Sequence, residues 1–341
     1  MVFNSNEVIV QHFKQATLRS YYVGFDFGAF RLDALTEILM DAIVDFAFGY
    51  HTGILRQYDR RKLKEAAKAL YNIKEFKDAK ETYIDNNEVI DDSIELPDKI
   101  LKRGEFGELI LHVLLRDFLN TIPLLSKIYF KDTDGATVHG FDSVQIGPDL
   151  STPDTYSLFL GESKIYYRKD GKAGEDGVKD LVLDIQEHFN RNFLERECSL
   201  IAKRKQSFIP LDEYPDKNTQ EEYETFLFEK NHWFEKMKNV CEGKLKLKDF
   251  LSSVTIPLVC TYQSKLFENF NDETNPDFIS EYEREIKNLE VVFKKALNSI
   301  EEQTGEPKRT NLNIVLILFP IPNKKDLIKV LHQKLYNQQN A

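Results

Sequence analysis

Residues 158–167 read LFLGESKIYY, an apolar and aromatic run interrupted by Glu162, Ser163 and Lys164. The composition predicts a buried strand over 155–167. Strand side chains alternate between faces, so Glu162 and Lys164 project from one side. Two buried charges without partners are costly, and groups must be present to meet them. Glu-x-Lys alone is no signal. The chain has five: Glu75/Lys77, Glu162/Lys164, Glu242/Lys244, Glu285/Lys287 and Glu306/Lys308. Two fall in helical patterns and two in polar loops, and only Glu162/Lys164 sits in an apolar strand.

A second acid, Asp142, lies inside the strand-like run TVHGFDSVQI at 137–146. If this strand pairs with 155–167, Asp142 and Glu162 converge at one end of a sheet. Upstream, GEFGELI sets Glu105 and Glu108 three residues apart, on nearly one face of a helix. Converging carboxylates are unfavourable unless protonated or bridged by a cation. Hard oxygen ligands without cysteine or clustered histidine favour Mg2+ or Mn2+. A metal held by acids beside a lysine suits phosphodiester hydrolysis, with activated water and a cation for the developing charge. Each residue also has an ordinary reading. Glu162/Lys164 can be a strand ion pair contributing about 0–1 kcal/mol, Asp142 a turn former, and Glu105 and Glu108 acids favouring a helix N-terminus.

The elements that must position these groups follow in order. RGEFGELILHVLLRDFLN (103–120) predicts an amphipathic helix with Leu109, Ile110, Val113, Leu114 and Phe118 buried, ended by Pro123. Strands follow at 126–131, 137–146 and 155–167, then a glycine-rich charged loop, RKDGKAGEDG, and a long helix over 178–205. Residues 206–250 read as mostly helical. The runs 254–262 and 311–321 are strands separated by a helix, which favours parallel pairing, and DLIKVLHQKLY closes the chain as a helix. Before the linker, Ile38, Leu39, Ala42, Ile43, Phe46 and Ala47 mark a helix, and RRKLKEAAKALYN marks another. Seven acids and no Lys or Arg between Glu81 and Asp98 mark a solvated linker. The expected organisation is a mainly helical N-terminal lobe with an acidic linker, 1–95, followed by an α/β domain, 96–341. That domain is a mixed sheet flanked by helices, with a helical insertion around 206–250.

The 341 residues carry a formal net charge of −10, an inconvenient balance for a protein that wraps nucleic acid alone. DNA contact must then rest on a local patch or on a partner. No apolar run approaches the roughly 18 residues of a membrane span, and no secretory signal is evident, so no membrane role is expected. Cys198, Cys241 and Cys260 are far apart without a CxxC pair, which fits a reducing cytoplasm. No phosphate-binding GxxxxGK[ST] loop is present, so ATP hydrolysis by this chain is not expected.

Glu108 on a helix, Asp142 on a strand and Glu162-Ser163-Lys164 on the next strand resemble the PD-(D/E)xK nuclease superfamily, with a core over roughly 103–200. The proline expected before the strand acid is replaced by Gly140-Phe141. RGEFGELILHVLL, VHGFDSV and LGESKIYY together are more closely similar to the HamA family, the nuclease subunits of the bacterial Hachiman anti-phage defence system, over most of the chain. The resemblance implies a restriction-endonuclease-like fold and a Mg2+-dependent (or Mn2+-dependent) deoxyribonuclease. In it Asp142 and Glu162 ligate the metal, Glu108 or Glu105 completes the shell, and Lys164 serves the attacking water. Gln186 is the candidate on the following helix. His139, Tyr166, Arg168 and Lys169 are candidate DNA contacts. The resemblance also implies a helicase partner, HamB-like, to engage DNA. A stand-alone restriction or repair nuclease, or a helicase-binding adaptor with a silent site, are the alternatives.

Overall fold

The apolar runs near 254 and 313 form the spine of the molecule. The computed structural model describes residues 5–49, 60–81, 104–126, 140–203, 217–304 and 312–340. The acidic segment beyond Glu81, the strand expected at 126–131 (beyond Ser126) and His139 lie outside the described residues. In chain order the strands are β1 (Ile9–Lys14), β2 (Leu18–Val23), β3 (Phe25–Asp26), β4 (Ala29–Phe30), β5 (Ile122–Pro123), β6 (Ser143–Pro148), β7 (Tyr156–Tyr166), β8 (Val254–Gln263) and β9 (Asn313–Ile321). The helices are α1 (Leu32–Asp41), α2 (Ile43–Phe48), α3 (Arg60–Tyr71), α4 (Lys74–Lys80), α5 (Glu105–Leu119), α6 (Ala173–His188), α7 (Arg191–Lys203), α8 (Lys217–Cys241), α9 (Leu247–Leu251), α10 (Leu266–Asn269), α11 (Pro276–Thr304) and α12 (Lys324–Asn340).

Seven strands form one mixed sheet in the order β1-β2-β9-β8-β7-β6-β5. Strands β2, β9, β8 and β7 pair in parallel, and the two edges are antiparallel. A parallel centre must be covered on both faces, which explains the nearly unbroken apolar β8 and β9. Alternate residues feed two cores. Phe159, Ile165, Val259, Ile317 and Phe319 face one, with α1, α2, α3, α5 and α12. Leu158, Leu160, Leu258, Cys260, Leu316 and Leu318 face the other, with α6, α7, α8 and α11.

Three elements depart from the sequence expectation. Residues 9–14 and 18–20, in the lobe expected to be mainly helical, lie in strands that extend the main sheet, with Leu18 opposite Leu316. The strands are short, and β2 pairs with a segment near the far end of the chain. The long helix expected over 178–205 is two, broken at Phe189-Asn190. Asn190 caps the second, its Oδ1 accepting from Phe193 N at 3.0 Å. Helix α6 also begins inside the expected glycine-rich loop. Gly174 and Gly177 lie in its first turns where a Cβ would strike Leu289 at 2.8 Å and Cys260 Sγ at 2.5 Å. These glycines let the helix approach the sheet closely, outweighing their poor helix propensity.

Helix α5 is buried more widely than one stripe: Leu111, His112 and Leu115 are enclosed as well as Leu109, Ile110, Val113 and Leu114, while Phe118 is only partly covered. It ends at Leu119, with Asn120 in the left-handed conformation (φ 52°) donating its N–H to Leu115 O. Pro123, expected to end it, lies in β5. His112 is a core group. Its Nε2 meets Asp45 Oδ2 at 2.9 Å, its Nδ1 meets Gln145 Nε2 at 3.2 Å, and Arg116 bridges to both Asp45 oxygens at 3.0 and 3.2 Å. Gln145 in turn donates to Ser143 Oγ at 2.8 Å. This buried network ties α2 and α5 to the strand that begins one residue after Asp142.

Candidate functional site

The register of β6 against β7 sets Ser143 opposite Gly161. The next step of that ladder puts Asp142 beside Glu162. Asp142 Oδ2 accepts two hydrogen bonds from β7, from Ser163 N at 2.9 Å and Ser163 Oγ at 2.8 Å. The side-chain bonds of Asp142 thus continue the ladder past the point where the backbone pairing stops. On β7, Glu162 and Lys164 share the parity of Leu158 and Leu160 and therefore face α6. Glu162 is buried, 3% exposed, within an apolar strand.

The groups that meet the two charges come from α6. Lys164 Nζ forms an ion pair with Asp184 Oδ2 at 2.6 Å, and His188 Nδ1 lies 2.7 Å from Glu162 Oε1. Burial works against the charge on Lys164, but Asp184, with Asp142 and Glu162 behind it, outweighs it and raises the ammonium above its usual range. Burial pushes the Asp184 carboxyl up despite Lys164. The two shifts pull the pair in opposite directions, and the 2.6 Å contact decides for the ionic form, in which Lys164 is protonated. Burial likewise lowers the His188 pKa from 6.5, against the pull of Asp184 and Asp142. Facing a carboxylate, Nδ1 carries a hydrogen and donates it to Glu162. Phe193 stacks on the imidazole at 4.5 Å and Phe141 meets it edge-on at 6.3 Å, which fixes the ring plane.

The structure gathers Asp142, Glu162 and Lys164, and it places the other expected residues around them. Helix α5 lies on the opposite face of the sheet. Glu105 there is buried with its Oε1 3.3 Å from His332 Nε2, next to Lys324. Lys324 donates to Ile165 O at 2.7 Å, and burial lowers its pKa to about 8 against the pull of Glu105. Glu108 is half-buried, one residue beyond Gly107, at which a Cβ would stand 3.3 Å from Ser163 Oγ. Gln186 is half-buried on α6, two positions from each of the residues that reach β7. Tyr166 packs where a Cβ at Gly177 would stand 3.3 Å from its ring. Arg168 pairs with Asp176 at 3.2 Å and Asp170 at 3.5 Å, and Lys169 is exposed.

Asp184 and His188 were not foreseen as site residues. Their spacing of four, beside the buried Leu181 and Ile185, was the available signal, since it places both on one face. Asp142 and Glu162 fit a divalent cation in donor type, being hard carboxylate oxygens, one in the bend just before β6 and one within β7. Among the described residues no group of three or more His, Cys, Asp or Glu side chains is placed to hold a metal ion. Two carboxylates suffice for Mg2+, which keeps several waters and takes substrate phosphates as its remaining ligands.

No helix among the described residues is long and apolar enough to cross a membrane. No curated protein matches the chain. A family model described as HamA matches residues 1–335, and the chain belongs to the HamA family, which makes it a Hachiman defence protein.

Proposed function

We propose that this HamA-family chain is a metal-dependent deoxyribonuclease, the effector subunit of a helicase–nuclease defence complex. The observation that carries the reading is the grouping of Asp142, just before β6, with Glu162 and Lys164 on β7, where the acids accept hydrogen bonds and the lysine is charged. Asp142 and Glu162 would hold Mg2+ or Mn2+. Bound there, the metal would supply activated water and offset charge on the scissile phosphate.

The remaining work falls to the chain's own groups. Lys164 is protonated, so it acts as a donor and a positive charge rather than as a base. It orients the attacking water or neutralises the charge developing on the phosphate oxygens. Ser163 fixes Asp142 through two bonds, so the strand holding Glu162 also sets the position of the second acid. Tyr166, the last residue of β7, and Lys169 just beyond it flank the path of a bound DNA strand. A net charge of −10 gives little general attraction for DNA. A helicase partner that grips the nucleic acid supplies what this surface lacks.

The test incubates plasmid and single-stranded DNA with the full chain in Mg2+ or in EDTA, comparing wild type with Lys164→Ala. The expected result is Mg2+-dependent cleavage that falls on the order of 10²–10³-fold in the variant, as for loss of one charge-stabilising donor. Equal cleavage by both proteins would remove Lys164 from the chemistry.

A further inference from the structure

The two contacts made by α6 have a common geometry. Glu162 and Lys164 are two residues apart on a strand, a separation of about 6.6 Å. His188 and Asp184 are four apart on a helix, about 6 Å along its axis. The spacings match, and the pairs run in opposite senses: 162 meets 188 and 164 meets 184. Only a helix antiparallel to β7 makes both contacts at once. A return helix after a strand has that direction, and Gly174 and Gly177 bring its first turns down onto the sheet.

The surroundings of each contact are built rather than incidental. Glu162 is almost fully enclosed, and the ring that meets it is held between Phe193 and Phe141, the residue immediately before Asp142. The side chain of Asp184 is 13% exposed and that of Lys164 29%, so their pair is shielded, unlike the surface pairs of α11 such as Lys287–Glu283. A solvated strand face would not need an aromatic clamp on one partner.

We propose that Asp184 and His188 are positioning residues of the nuclease site, Asp184 aiming the Lys164 ammonium and His188 orienting the Glu162 carboxylate. The assignment rests on the nuclease reading above and adds to it two residues and a division of labour. His188 acts on the group that would hold the metal. Asp184 acts on the group that serves the phosphate and water. The two therefore affect different measurements.

The experiment uses the full chain and two readouts: Mn2+ affinity by titration calorimetry without DNA, and steady-state cleavage of plasmid in Mg2+. Thermal unfolding checks that each variant is folded. Glu162→Gln serves as the reference for loss of a ligand. His188→Ala should lose ~10–100-fold in Mn2+ affinity and in cleavage, the usual effect of removing a partner that orients a ligand. His188→Asn should recover most of both, because its amide nitrogen falls where Nδ1 stands, whereas His188→Gln should not. Asp184→Asn should leave Mn2+ affinity unchanged and lower kcat ~10–100-fold at constant KM. The inference is overturned if His188→Ala matches wild type while Glu162→Gln does not. It is overturned equally if His188→Asn is no better than His188→Ala, or if Asp184→Asn keeps the wild-type kcat. A wild-type chain that neither binds Mn2+ nor cuts DNA removes the nuclease reading itself, and the positioning roles with it, before any variant is compared.

Discussion

Gly177→Ala would test how the fold delivers α6 to the site. A Cβ at this position would lie 2.5 Å from Cys260 Sγ and 3.3 Å from the Tyr166 ring. Normal contact distances are roughly 3.5 Å or more, so the helix must retreat by roughly 1 Å or Cys260 must move. Cys260 is fully buried in the middle of β8, between β7 and β9, and has little room to yield. Overpacking of this kind costs about 1–3 kcal/mol, and the better helix propensity of alanine returns about 1 kcal/mol. The net expectation is a loss of about 0–2 kcal/mol. The effect on the site is larger, because a shift of roughly 1 Å stretches both the Asp184–Lys164 and His188–Glu162 contacts, and misplacement on that scale can cost on the order of 10²-fold in rate. The assay is urea unfolding followed through the single tryptophan, Trp233, which is fully buried, alongside plasmid cleavage. Cys260→Ala removes the obstructing sulfur at a cost of about 1 kcal/mol and should rescue Gly177→Ala, with a favourable coupling within the 0.5–3 kcal/mol seen for contacting residues. Strict additivity in the double variant, or a Gly177→Ala protein as stable and active as wild type, would refute the close-approach account.

Two further predictions concern the frame around the site. Arg116 and His112 hold Asp45 at about 2, below the usual 3.8, although burial alone would raise it. A depressed folded pKa means stability present above pH 3.8 and lost as pH falls through 2, worth about 2 kcal/mol. Asp45→Asn should therefore lower the urea midpoint at pH 7 and make it flatter between pH 4 and 2, and an unchanged acid limb would contradict this. Asn190→Ala removes the cap of α7 and should cost about 1 kcal/mol in the same unfolding assay, with Asn190→Asp nearly neutral. Equal losses in both variants would show that the cap is not what matters there.

Much of the site was legible in the sequence because strand parity is a short-range rule. Apolar residues on both sides of Glu162 and Lys164 identified the strand, and alternation put the two charges on one face. The pairing of β6 with β7, from Ser143 opposite Gly161 onward, then brings Asp142 to them, since consecutive strands joined by a short loop are neighbours. The charges' partners were not legible. Asp184 and His188 gain meaning only when α6 lies antiparallel on β7 at the right height, and the glycines that allow it read as a loop. The helix acids illustrate the same limit: helical spacing put Glu105 and Glu108 on one face but could not tell which face of the sheet α5 would cover. The place of β1 and β2 in the main sheet was hidden because β2 finds its partner, β9, almost a chain length away.

The most direct test of the central claim compares wild type with Glu162→Ala/Lys164→Ala on plasmid and single-stranded DNA in Mg2+, with and without a Hachiman helicase partner and ATP. Helicase binding is measured on the same samples by co-purification. The account predicts that DNA degradation disappears in the double variant while the helicase still binds. Identical behaviour of the two proteins in every condition would contradict it, leaving the charges of LFLGESKIYY as structural ion pairs and the chain as a helicase-binding adaptor.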